Sequence, residues 1–151
     1  MEESILDRAK ASTAMFKEKV VDLTENLWDD ERKEMIGEFK DATSEKLKAI
    51  LESLGKFNSL FKEAGYELNS INASIALPPD ISITFKCLDL IPISERINVF
   101  NKAQDSRIAT LVLKSLFRAS DYSDTIKLGE FKLKTVNIKM GLIPGVSVSF
   151  S

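Results

Sequence analysis

The strongest constraint on this chain is a stretch that it carries twice. Residues 68–85 read LNSINASIALPPDISITF, and residues 133–150 read LKTVNIKMGLIPGVSVSF. In register, Leu68/Leu133, Asn72/Asn137, Leu77/Leu142, Pro79/Pro144, Ser82/Ser147 and Phe85/Phe150 are identical, and Ile71/Val136, Ile75/Met140 and Ile83/Val148 are conservative. Within each copy apolar and polar residues alternate. Ile71, Ala73, Ile75 and Leu77 fall on one side of a strand and Asn72 and Ser74 on the other; after a proline turn, Ile81, Ile83 and Phe85 alternate with Ser82 and Thr84. A period of two marks a half-buried antiparallel strand, apolar inward and polar outward. Pro79 and Pro144 fall in the connections, where a fixed φ suits a turn and a missing N–H harms no ladder. Each copy therefore predicts a β-hairpin.

The phase of the alternation slips once in each copy. Tyr66 and Leu68 stand in the opposite phase to Ile71, and Phe131 and Leu133 stand in the same relation to Val136. A one-residue slip throws side chains to the wrong face unless a bulge absorbs it. Bulges are expected near Asn69-Ser70 and Lys134-Thr135. Shared prolines, asparagines and phase slips favour duplication over convergence.

The rest of the chain has helical spacing. From residue 3 to residue 27, Leu6, Ala9, Thr13, Phe16, Val20, Leu23 and Leu27 recur at alternating intervals of three and four, a heptad line. Trp28-Asp29-Asp30-Glu31 interrupts it, with Asp29 or Asp30 suited to cap a following helix. Ile36, Phe39, Leu47, Ile50, Leu54, Phe57 and Phe61 extend the pattern to Ala64-Gly65, where glycine suits a left-handed terminus. After the first hairpin, Ser94 can cap a helix through Ile97, Phe100, Ile108, Leu111, Val112, Leu116 and Phe117, and Gln104-Asp105-Ser106 is polar enough to split it. Residues 119–124 (ASDYSD) read as a loop.

The element order is α-α-β-β-α-β-β over one domain of 151 residues. Residues 1–65 are helical, 66–88 form the first hairpin, 94–119 a helix and 126–151 the second hairpin. Such a chain predicts an α+β fold, in which a four-stranded antiparallel sheet carries its helices on one face.

Composition removes several chemistries. There is no histidine, which excludes Ser-His-Asp and Cys-His sites and imidazole metal sites. The lone Cys87 offers no disulfide and no cysteine pair for zinc, and it reads as a buried thiol. No phosphate-binding glycine motif occurs. Glu31, Glu34 and Glu38 share a helix face beside Asp29 and Asp30, a set able to bind a hard cation; interleaved Arg32, Lys33 and Lys40 favour a solvated surface instead. Lys127, Lys132, Lys134 and Lys139 gather on the second hairpin, but without interleaved aromatics and at a net charge of −2 they do not signal nucleic acid. Neither a spanning segment nor an apolar leader is apparent, so a cytoplasmic protein is expected, without metal or cofactor.

Two functions fit these features. The first is a non-enzymatic protein-interaction or oligomerisation module, a helical N-terminal segment on a rigid β platform, with a protein or a second copy as partner. Phe16, Val20, Leu23 and Leu27 would form its contact line and Trp28 its anchor. The alternative is binding of a lipid or small apolar ligand between helices and sheet, in a cavity lined by Ile75, Ile83, Phe85, Met140, Val148 and Phe150.

Overall fold

The duplicated alternation folds as two antiparallel hairpins in the computed structural model, which describes residues 19–22, 29–75 and 78–151. Among them the elements follow as β1 (Lys19–Asp22), α1 (Asp29–Phe39), α2 (Ser44–Lys56), α3 (Asn58–Glu63), β2 (Tyr66–Ser74), β3 (Asp80–Cys87), α4 (Ile93–Ala103), α5 (Arg107–Thr125), β4 (Leu133–Met140) and β5 (Gly145–Phe150). The four hairpin strands form an antiparallel sheet with helices packed against it, as the sequence predicts, and β1 adds a short fifth strand, giving the order β1-β5-β4-β3-β2. Both bulges lie where the phase slips. Pairing shifts between Leu68 and Ser70 in the first hairpin and between Leu133 and Thr135 in the second.

The hairpins join through β3 and β4. Ile81 stands opposite Met140, Ile83 opposite Ile138 and Phe85 opposite Val136, and all six side chains are buried. On the other face the small polar residues bond across strands. The Asn137 Nδ2 amide donates to Ser82 Oγ at 3.1 Å and to Thr84 Oγ1 at 2.9 Å, and the Thr135 and Ser149 hydroxyls meet.

The helical layer is centred on α5. Ser106 caps it by accepting the Ala109 N–H at 3.1 Å, and Ile108, Leu111, Val112, Leu116 and Phe117 turn its apolar stripe inward. The stripe carries the helix through residues 119–124, so the expected loop there is corrected. Ser120, Ser123 and Thr125 each donate a hydroxyl to a carbonyl one turn earlier, so these polar groups are satisfied within the helix. Consequently the second hairpin begins its first strand at Leu133, later than residue 126. In α4, Pro92 occupies the N-cap and Ser94 lies inside the helix. The segment from residue 30 to residue 64 divides into three helices, with Thr43 Oγ1 accepting the Lys46 N–H at 3.1 Å at the start of α2.

The N-terminal helix expected over residues 3–27 is corrected at 19–22, which are a strand paired with residues 147–150 of β5. Adjacent Val20 and Val21 are stiff, β-branched residues, and pairing them satisfies backbone groups along an edge of β5 that would otherwise be open. The remainder of that helix falls outside the described residues.

Tyr66 fastens the sheet to α5. Fully buried, its hydroxyl lies 3.2 Å from the Leu116 carbonyl and 2.5 Å from Ser120 Oγ. The turn before it depends on Gly65, whose φ is +98° and whose carbonyl accepts the Leu88 N–H at 2.8 Å. A Cβ at Gly65 would sit 2.1 Å from the Asp89 carbonyl oxygen. Gly65→Ala is therefore expected to destabilise the fold by about 3 kcal/mol through strain and backbone collision. Urea unfolding followed by circular dichroism measures the loss, and a difference below about 1 kcal/mol would contradict it.

Candidate functional site

The large aliphatic side chains that remain exposed among the described residues collect in two places. One set is Ile71, Ile75, Leu142 and Ile143, and the other is Leu88, Leu90, Ile93 and Ile97. Hairpin geometry creates the first. β2 ends at Ser74 and β3 begins at Asp80, β4 ends at Met140 and β5 begins at Gly145, and Gly141 of the second tip lies against Pro79 and Asp80 of the first. The site of a Cβ on Gly141 is 3.1 Å from Asp80 Cβ and 3.3 Å from the Pro79 carbonyl oxygen. Pro79 and Pro144 are buried in the turns, while Ile75 and Ile143 stand 75% and 78% exposed.

The second set lies at the other end of β3. The chain leaves the sheet through Leu88 and Leu90 and enters α4, where Ile93 and Ile97, one turn apart, are 72% and 59% exposed. Helical spacing placed Ile97 in the stripe with Phe100. Instead α4 buries Val99 and Ala103 and leaves Ile93 and Ile97 on an adjoining face. The signal was an apolar arc wider than one buried stripe needs. On its inner side α4 is held to α5 by Arg96, which pairs with Asp121 at 2.8 Å and lies 4.8 Å over the Phe117 ring.

Two open concavities accompany these surfaces. One of about 300 Å³ adjoins Leu88 and Leu90 and is lined also by Ile126, Phe131, Leu133 and Phe150. The other, about 380 Å³, lies between α2 and the start of α5, with Lys46, Lys56, Arg107, Glu38 and Asp105 around Ile50 and Ile108.

Of the residues singled out by sequence, Phe16, Leu23, Leu27 and Trp28 lie outside the described residues. Val20 is in β1, opposite Ser149. Ile83, Phe85, Met140, Val148 and Phe150 come together in the core against the helices, with Phe85 edge-on to Phe61 at 5.3 Å between ring centres. Ile75 is separated from them, exposed beyond the end of β2. Lys127, Lys132, Lys134 and Lys139 are all exposed.

The acidic face of α1 meets cations. α1 runs antiparallel to α5, so Glu31 receives the Arg118 Nε–H at 3.2 Å, Glu34 faces Lys114 at 3.8 Å, and Glu38 meets Arg107 at 3.2 Å and Lys46 at 3.5 Å. Spacing on α1 alone located the carboxylates on one face. Their partners recur on α5 at intervals of seven and four, a signal visible only once the two helices are known to be neighbours. No group of three or more metal-ligating side chains occurs among the described residues, nor any helix long and apolar enough to cross a membrane.

Comparison with known protein families, curated proteins and solved structures gave no match.

Two outcomes follow from this chemistry. Glu31 is buried, with Oε2 unpartnered, so Arg118→Ala removes the cation that, among the described residues, pairs with this desolvated carboxylate and should cost about 2–3 kcal/mol. Lys114→Ala, in a pair open to water, should cost less than about 0.5 kcal/mol; equal losses in thermal unfolding would refute this ranking. Burial, then the nearby Asp89 carboxylate, pushes the Cys87 thiol up to about 11. Its alkylation by iodoacetamide near about pH 8 should be roughly a hundredfold slower than that of free cysteine, and should rise steadily with pH. A rate that is already level at neutral pH would disprove the assignment.

Proposed function

We propose that this chain is a non-catalytic protein-interaction module in which a rigid β platform presents apolar surfaces to partners. The observation that carries the reading is the gathering of exposed aliphatics at the two ends of the sheet. Scattered single aliphatics are ordinary on a protein surface, whereas contiguous ones keep a cost in water until something covers them. Cross-linked packing beneath each set supports the same reading: the tips are braced on each other, and α4 is clamped to α5, so both surfaces are presented without an ordering cost on binding. A cytoplasmic setting belongs to the proposal, since its one cysteine is a free, half-buried thiol.

A second reading, uptake of a small apolar ligand, would use the concavity beside Leu88 and Leu90, where Ile126, Phe131, Leu133 and Phe150 line the wall together with Asp89, Ser123 and Lys132.

The test is the native size of tagged protein in extracts of its own cells. Wild-type chain should run above its own 16.9 kDa. Either Ile75→Asp with Ile143→Asp, or Ile93→Asp with Ile97→Asp, should return it to the size of a single chain with its circular dichroism spectrum unchanged. A wild-type chain that runs alone in the extract rules the module out.

A further inference from the structure

We infer that the outer edge of β2 pairs antiparallel with β2 of a second copy of this chain, joining two sheets into one of ten strands, five from each copy. The inference rests on the interaction-module reading and names its partner.

The internal repeat provides the argument. β2 and β4 are equivalent strands, residue for residue, at an offset fixed by Leu68 and Leu133. Val136, Ile138 and Met140 of β4 are fully buried, opposite Phe85, Ile83 and Ile81 of β3. The equivalent residues are Ile71 and Ala73 of β2 and Ile75 just beyond its end. Among the described residues Ile71 and Ala73 have a strand, β3, on one side only, and all three are exposed, Ile71 at 37% and Ile75 at 75%. The same hairpin thus occurs with its first strand paired on both edges and with its first strand paired on one. The edge that β4 uses to receive β3 is the edge along which, among the described residues, no strand pairs with β2.

The character of this edge selects the occupant. Exposed edge strands usually carry lysine or proline that discourages pairing. β2 departs from this pattern, since residues 68–75 contain no charged residue and no proline. An uncharged strand has nothing with which to recruit a charged partner, and nothing in it repels its own twin. Self-pairing also has a good register. A two-fold axis through Ala73 sets Ala73 against itself and Ile71 against Ile75 of the other copy, twice over, all on the face that is apolar in β3 and β4. An axis through Asn72 would set Ile71 against Ala73 and leave Ile75 facing the bulge near Asn69.

The experiment uses the purified full chain. Sedimentation equilibrium should show the mass rising from 16.9 kDa to twice that value with concentration. Ile75→Lys should lose the doubled species, while Ile97→Lys keeps it, both with wild-type circular dichroism. Ala73→Cys gives an independent readout. Directly opposed residues in antiparallel strands have Cα atoms about 4.5–5.5 Å apart, within disulfide reach, so mild oxidation should yield a covalent dimer that Ile97→Cys does not give. A single-chain mass at every concentration, with no excess cross-linking of Ala73→Cys, overturns the self-pairing. So does a doubled mass that Ile97→Lys abolishes and Ile75→Lys spares. If the purified chain is single but the complex in cell extract is released by the tip substitutions, the interaction module stands and its partner is another protein.

Discussion

The pairing of β3 with β4 is the contact on which the rest of the structure depends. Each hairpin alone is a two-stranded ribbon, too small to hold its shape in water. Joined through Ile81, Ile83 and Phe85 against Met140, Ile138 and Val136, they make a face broad enough to receive α5 and the helices around it. These strands are antiparallel neighbours, yet the whole of α4 and α5 intervenes between them in the chain. The seam therefore closes a long loop, and that entropy is recovered through the apolar side chains which α5 lays over the same strands.

The hairpins were legible in the sequence because alternation, proline turns and phase slips are local signals, set by residues that touch within a few positions. So were both bulges and the role of Gly65. What escaped was set by neighbours distant in sequence. Lys19-Val20-Val21-Asp22 fits a heptad line as well as a strand, and an open edge of β5 decides between them. Residues 119–124 are polar enough for a loop, and are helical where Ala119 and Ser120 are buried and Ser120 bonds to Tyr66. Alternation in β2 marked Ile71 and Ile75 as inward; the phase was right, and the helical layer does not reach them. α3, six residues long, covers the beginning of β2 and stops. The exposed pair Ile93 and Ile97 escaped for the converse reason, since helical spacing identifies an apolar arc without fixing which part of it finds a neighbour.

Charge serves alignment here more than chemistry. α1 has little apolar surface beyond Met35 and Phe39, and its acidic face is matched by Arg107, Lys114 and Arg118. Pairs in water contribute little to stability, but a row of them distinguishes one helical register from the next. Glu31 differs from the others, because its burial makes a missing partner expensive.

The two similar hairpins lie head to tail, with the second strand of one against the first strand of the next. An arrangement of this kind has no natural end: each unit offers one side and accepts on the other, as in a growing fibre. Here β1 pairs along the accepting side of β5 and becomes the outermost strand at that end. With β5 covered, the outermost strand at that end is four residues long against nine in β2, so among the described residues a repeat that could extend both ways keeps one long edge.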